Sequence, residues 1–452
     1  MKRFNITLLV SLLCIVSYAQ DLVGTWSGLL NVGAAKLTLV LNISKDDSGK
    51  TVCTLDSPDQ GAEGIPGKIE QGEDGKTKVS VPSISATYEF TMSGDKLSGT
   101  FTQGFSSLPL EMKRGGVERN RPQTPKRPYP YTTEEVTFES VGGKATLSGT
   151  LTLPVGFEKK SKGSVPVVLM VSGSGLQDRD ETLFGHKPFL VLADYLARNG
   201  IASLRYDDRG FGKSKGEAAS ATTHDFMEDA EGGVSFLRSG ARFGKVGVLG
   251  HSEGGLIAFM LAAQGKADFV VSLAGPGVRG DSVIIDQNRT LVGSMGLPRA
   301  YVENLCSAVR EAAAYVLSGG KAGEAGQAVK KILAKHPSLP AEQTGQQLAA
   351  LMSNPWMGFF LKYDPSSDIS KTKCPVMALN GSKDMQVGAS VNLGAIRRLL
   401  PKDKINVVKE YAGLNHLFQH CTMGFVTEYG QISETMSPEV LKDVAEWINT
   451  LK

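Results

Sequence analysis

Val246-Gly247-Val248-Leu249-Gly250-His251-Ser252-Glu253-Gly254-Gly255 decides how this chain is read. A short apolar run of strand type stops at a glycine, and a helical pattern, Gly254 to Ala263, starts two residues after the serine. A Gly-x-Ser-x-Gly turn between strand and helix is too tight for a side chain at either glycine. It holds the serine in a strained backbone conformation with its hydroxyl above the sheet. Gly255 lets the new helix approach closely. A serine hydroxyl is a weak nucleophile near neutral pH, so the motif asks for a base and for an acid that orients the base.

On both sides of this turn strand and helix patterns alternate. Val165–Val171, Ala202–Tyr206, Val246–Leu249 and Phe269–Leu273 read as strands, and Phe189–Arg198, Asp225–Leu237 and Gly254–Ala263 as helices. A hairpin, Glu134–Val141 with Ala145–Leu153, precedes them. This alternation predicts a mostly parallel sheet with helices on both faces. From Gly277 to Asp364 it gives way to successive helical patterns, including Tyr301–Leu317 and Ala325–Leu333, before strand and helix resume at Val376. An interruption of that length predicts a helical cap, about 277–364, inserted in the α/β domain at 132–452.

The chain after the cap supplies the partners. Asp384 lies 132 positions beyond Ser252, just past the strand Val376–Leu379, and His416 follows the strand Ile405–Tyr411 in Gly413-Leu414-Asn415-His416. Both fall beyond the carboxyl ends of strands, where open α/β sheets assemble their sites, and the order Ser, Asp, His fits a strand-to-helix elbow. Over roughly Thr133 to Lys452 the chain resembles the α/β-hydrolase superfamily. Within it the likeness is to bacterial esterases with Gly-His-Ser-Glu-Gly elbows, close to dienelactone-hydrolase-like and acyl-thioesterase-like sequences. The matching stretches are Ser172-Gly173-Ser174-Gly175-Leu176-Gln177-Asp178-Arg179-Asp180, Arg205-Tyr206-Asp207-Asp208-Arg209-Gly210-Phe211-Gly212-Lys213-Ser214 and Leu414-Asn415-His416-Leu417-Phe418. The resemblance implies His416 as base and Asp384 as its orienting acid; Asp368 and Asp403 fit the pattern worse.

Attack on a carbonyl develops an oxyanion that needs fixed donors. The backbone N–H of Glu253 is one, and the loop after Val171 should give the other, from Ser174 or Gly175. Asp178, Arg179 and Asp180 beside that loop are candidates for substrate contact, but ion pairing that holds the loop is the favoured reading, and Arg209 is read the same way. His186 and His224 precede helices and read as structural; His251 is set by the elbow. Trp356, Phe359, Phe360 and Tyr363 cluster where the chain re-enters the sheet. They form the cap's own core or an apolar substrate pocket over Ser252, and both readings stand.

Ahead of this domain the chain changes character. Met1-Lys2-Arg3, an apolar run Ile6–Val16 and Ser17-Tyr18-Ala19 predict a signal peptide at 1–19, cleaved before Gln20, and a periplasmic or secreted product. The run is too short for a membrane span. Cys14 raises a lipoprotein alternative, but Leu13 stands where a small residue is wanted. Residues 20–114 read as a small all-β domain, with strands such as Lys36–Ile43 broken by turn signals such as Ser93-Gly94-Asp95. Its opening Leu22-Val23-Gly24-Thr25-Trp26 resembles the start of small lipocalin-like barrels, and a plain meander or sandwich with Trp26 in its core is the alternative. Residues 115–131, with Pro122, Pro125, Pro128 and Pro130, predict a stiff linker.

The formal charge of +3 falls by the two charges of Lys2 and Arg3 to +1 after cleavage, which gives no reason to expect nucleic acid or an anionic membrane as partner. Cys53, Cys306, Cys374 and Cys421 are too widely spaced for a zinc site, and neither metal nor organic cofactor is implied. The expected substrate is a small-molecule ester with an acyl or aryl group. A serine exopeptidase is the first alternative. The prolyl-oligopeptidase pattern would need a β-propeller that the leading domain is too short to hold, and no paired-glutamate motif for a free N-terminus is found. Export disfavours an acyl-CoA thioesterase. A non-catalytic binding protein is the third reading, which a broken triad would have marked.

Overall fold

Between Gly24 and Arg114 buried and exposed side chains alternate along short strands, the period of a sheet with one face in a core. The strands are β1 (Gly24–Val32), β2 (Ala35–Lys45), β3 (Thr51–Ser57), β4 (Ala62–Gln71), β5 (Thr77–Val81), β6 (Ala86–Ser93), β7 (Lys96–Gln103) and β8 (Ser106–Arg114). Each pairs antiparallel with the next, and β1 pairs with β8 through Trp26 opposite Arg114, so the meander closes into a barrel without edges. In the two-residue turn between β6 and β7, Gly94 takes φ 58°, a conformation glycine adopts without strain. The interior is filled by Trp26, Leu41, Phe90, Leu97, Leu110 and Met112. The Trp26 indole N–H donates to Leu22 O at 2.9 Å, and the Arg114 guanidinium lies 4.2 Å over its ring.

The structure, a computed structural model, describes residues 22–451 apart from 33–34, 47, 61, 73–74, 105 and 117–119. The expected signal peptide, Cys14 and the cleavage site lie outside the described residues. The chain divides into two compact units, Met1–Glu118 and Arg119–Lys452.

In the second unit a hairpin of β9 (Thr132–Glu139) and β10 (Ala145–Leu153) leads to β11 (Val167–Val171), α1 (Pro188–Arg198), β12 (Ala202–Tyr206), the two-residue β13 (Lys215–Gly216) and α2 (Thr223–Ser239). Next come β14 (Val246–His251), α3 (Glu253–Ala263) and β15 (Val270–Leu273). The sheet runs β13-β10-β12-β11-β14-β15 and continues to β16 (Val376–Gly381) and β17 (Val407–Tyr411), with β9 beside β10. From β12 through β17 the neighbours are parallel, and β11, β12, β14, β15 and β16 are buried at every residue. Strands buried on both faces read as continuous apolar runs. The alternation still shows in what each residue packs against. Val167, Leu169 and Val171 join a core with α2 and α3, while Val168 and Met170 join one with α1 and α12 (Pro438–Thr450).

The interruption after β15 holds α4 (Gly280–Ser294), α5 (Arg299–Leu317), α6 (Ala325–Lys335), α7 (Ala341–Ser353) and α8 (Pro355–Lys362), with an apolar core of their own that includes Leu305, Val309, Leu348 and Leu361. The short α9 (Ser366–Lys371) returns the chain to the sheet; α10 (Ala389–Leu399) and α11 (Val426–Tyr429) complete the unit.

The stretch expected as a linker behaves differently in its second part. The Arg121 guanidinium donates to the carbonyls of Phe184, Gly430 and Ile432, and the Gln123 amide exchanges bonds with Thr435 and Met436. These residues are built into the second unit. A chain starting at Asn120 should therefore keep the full thermal stability of that unit. One starting at Tyr129 loses about 2 kcal/mol or more of charge-assisted bonding and should melt roughly 3–6 °C lower. Calorimetry of the two truncated chains checks this, and equal melting temperatures would count against it.

Candidate active site

Ser252 sits between β14 and α3 with φ 54° and ψ −118°, outside the comfortable region for a residue with a side chain. The neighbouring glycines are sterically required. A Cβ at Gly250 would lie 1.9 Å from Gly254 O, and one at Gly254 would lie 2.0 Å from Val171 O. Ser252 N donates to Leu273 O at 2.8 Å, which pins the turn to β15. Ten residues of α3, Glu253 to Ala262, are buried, so the turn is anchored on the helix side as well.

Asp384 and His416 meet beside it. Asp384 Oδ1 accepts from the backbone N–H groups of Gln386 and Val387 at 2.8 and 2.9 Å, which fixes the plane of its carboxyl group. Its Oδ2 lies 2.7 Å from His416 Nδ1, and both side chains are buried. With Nδ1–H donating to the carboxylate, Nε2 is the ring nitrogen left to accept a proton. Ser252 and His416 line one cavity of about 260 Å³.

Glu253 N is the first N–H of α3 and has no partner within the helix by position. Of the two candidates for a second donor, Ser174 lines the cavity and Gly175 does not. Gly173 approaches the serine closely, since a Cβ there would lie 3.2 Å from Ser252 Cβ, but its N–H is taken by Glu181 Oε1 at 3.0 Å. The Glu253 side chain accepts from Trp356 Nε1 at 2.6 Å. Burial pushes its carboxyl group above the usual range, and hydrogen bonds from Thr223, Trp356 and Ser174 oppose that.

The cap roofs the cavity with Val283, Ile284 and Gln287 of α4 and Trp356, Met357 and Phe360 of α8. Trp356 and Phe360 stack with centroids 5.2 Å apart and serve both cap packing and cavity lining. Phe359 does not reach the cavity. Its ring packs on Tyr363 at 5.4 Å and near His224 at 6.5 Å, so its placement in the pocket is corrected.

The flanking charges act as braces. Arg179 grips both oxygens of Asp207 and reaches Glu135; Asp180 pairs with Arg205 and Lys187; Asp178 accepts from the N–H groups of Asp180 and Thr182. Arg209 grips Asp229 with two bonds of 2.7 Å. His186 is buried between Thr435 and the Tyr429 carbonyl. Sequence reasoning missed Glu181, which lines the cavity with φ 53° and binds His251 Nδ1 at 2.9 Å. Nothing local marks it beyond its place after Asp178-Arg179-Asp180. It also missed Gln386 and the α4 residues, whose arrival depends on how the cap folds back.

A family model described as serine aminopeptidase, S33, matches residues 187–316, which include the elbow but neither Asp384 nor His416. Esterase EstD of Thermotoga maritima is 27% identical over 273 residues, 60% of this chain and 58% of that protein, so the chain spans somewhat more than half the length of this curated relative. Among solved structures, an esterase of Pyrococcus furiosus aligns at 16% identity over 74% of this chain and 99% of its own, with a TM-score of 0.42. A proline iminopeptidase of Mycobacterium smegmatis aligns at 15% over 70% and 98%, also at 0.42. The chain's own sheet order, elbow and cap insertion give the second unit the α/β-hydrolase fold with a helical cap.

Proposed function

We propose that this protein is an exported carboxylesterase that hydrolyses small, uncharged acyl or aryl esters through Ser252, His416 and Asp384. The observation that carries the reading is the shared cavity, onto which the strained serine and the Asp384-bound histidine both open. His416 Nε2 takes the proton as Ser252 Oγ attacks the ester carbonyl, and Asp384 stabilises the imidazolium that forms. The Glu253 and Ser174 N–H groups receive the oxyanion. His416 then protonates the leaving alcohol and activates the water that releases the acid from the acyl-enzyme.

A cavity of about 260 Å³ falls below the ~300–1,000 Å³ range of drug-sized ligand sites, which suits a small substrate. Among its described lining residues there are two carboxylates and no lysine or arginine, and His251 is already paired with Glu181, so an anionic acyl or alcohol group finds no unpaired counter-charge. Both carboxylates are engaged, Glu181 with Gly173 and His251, Glu253 with Trp356, which leaves no ready grip for a peptide's ammonium group. That, with the esterase named as relative, favours esters over the aminopeptidase activity named by the family model. Export rests on the sequence of residues 1–19, and N-terminal sequencing of the mature protein should begin at Gln20.

Ser252→Ala should abolish fluorophosphonate labelling and lower ester hydrolysis by about 10⁴-fold or more, with His416→Ala nearly as damaging and Asp384→Asn less so. In the wild type, kcat/KM should fall in acid, because a protonated imidazole cannot take the proton of Ser252. A labelled, active Ser252→Ala protein would exclude the mechanism.

On a substrate panel, short neutral esters should exceed both hemisuccinate esters and peptide amides by at least tenfold. A chain starting at Asn120 should match the full chain on them. A reversed preference for amides would move the assignment to the peptidases.

A further inference from the structure

A second histidine–carboxylate pair stands next to the first. His251 Nδ1 lies 2.9 Å from Glu181 Oε1, and His251 Nε2 lies 3.0 Å from the backbone carbonyl of His416. The same Glu181 oxygen accepts the Gly173 N–H at 3.0 Å. Glu181 thus links the loop that carries Ser174 to the loop that carries His416, with His251 as the bridge. The rings of His251 and His416 are 4.7 Å apart, and both members of the second pair are buried.

Both ring nitrogens of His251 face acceptors. Either neutral tautomer would set a nitrogen lone pair against an oxygen lone pair, at the carboxylate or at the carbonyl. Only the imidazolium donates to both. We infer that Glu181 and His251 are positioning residues: a buried ion pair that joins the two loops and holds a fixed positive charge beside His416.

Burial by itself would drive the proton off His251, but Glu181 and the His416 carbonyl outweigh it and the net direction is upward. The titratable groups facing His251 are Glu181, His416 and, through its charge, Asp384; Glu253, two residues on, gives its carboxyl group to Trp356. Neutralising the pair removes the cation whose ring lies 4.7 Å from that of His416.

The inference takes His416 as the base from the proposed mechanism, and its test separates the two. Nitrogen-15 NMR of the full chain should show His251 protonated on both ring nitrogens at pH 7.5. Glu181→Gln should lower kcat about tenfold or more with KM changed less than threefold. It should also move the acid limb of kcat/KM to higher pH by about half a unit or more, as expected for loss of a like charge within ~4–6 Å. His251→Gln, which leaves the Glu181 charge behind, should move that limb in the same direction. A neutral His251 at pH 7.5, or a uniform loss of rate with the pH profile unmoved, overturns the inference. Should Glu181→Gln fail to fold, the spectrum of the wild type still decides. Activity surviving in His416→Ala would instead remove the base assignment, whatever the state of His251.

Discussion

The backbone of Ser252 is the constraint on which the rest of the site depends. A non-glycine residue at φ 54° and ψ −118° costs about 1–3 kcal/mol and persists only where its surroundings over-determine it. Here they do. Backbone fills the space where either flanking glycine would carry a Cβ, β15 holds the serine's N–H, and nearly all of α3 is buried. The same turn that projects the hydroxyl also ends the strand and begins the helix. The N–H of Glu253 and the positive end of the helix dipole therefore arrive beside the nucleophile as a consequence of the turn. The strained serine and the first N–H of α3 come from one turn.

The loop that carries Gly173 and Ser174 is held by different means. The loop after β11 has little regular structure to satisfy its backbone, so its N–H groups need partners elsewhere. Carboxylates provide them. Glu181 takes Gly173, Asp208 takes Gln177 and the Ser172 hydroxyl, Asp207 takes Arg179, and Asp178 takes Asp180 and Thr182. Burial pushes the Asp208 carboxyl group well above the usual range, against the pull of those hydrogen bonds. A loop held this way is stiff without being packed, and the acids that hold it need not touch substrate.

This contrast explains what the sequence made legible. The sheet and the cap's position follow from periodicity and Ser252 from a turn whose chemistry is local, while Asp384 and His416 are marked by the resemblance to α/β-hydrolases and by their places after strands. The bracing of Gly173 by Glu181 is not local in the same sense, because it depends on a backbone conformation at Glu181 that no neighbour dictates. Arg121 likewise reads as part of a proline-rich stretch, while its carbonyl partners stand 63 to 311 positions away. The cap aromatics fall in between. Asn354 caps α8 by accepting from Met357 N, and Pro355 occupies the first turn, which fixes the register of the helix. Given that register, Trp356 and Phe360 share one face and Phe359 and Tyr363 another, as their stacking shows. Treating the four rings as one cluster ignored the period that separates them.

That separation bears on how the cap works. Its first and last helices touch through their backbones, since a Cβ at Gly280 would lie 2.0 Å from Phe360 O. The chain leaves the sheet at Gly277, whose N–H is held by the Asn392 side chain of α10 at 2.9 Å. The roof over Ser252 is thus joined within itself and anchored to the unit below. Through the Trp356–Glu253 bond it also touches the residue that follows Ser252 in the elbow. A side chain of the roof is therefore bonded to the floor, and the residues lining the cavity form one connected group.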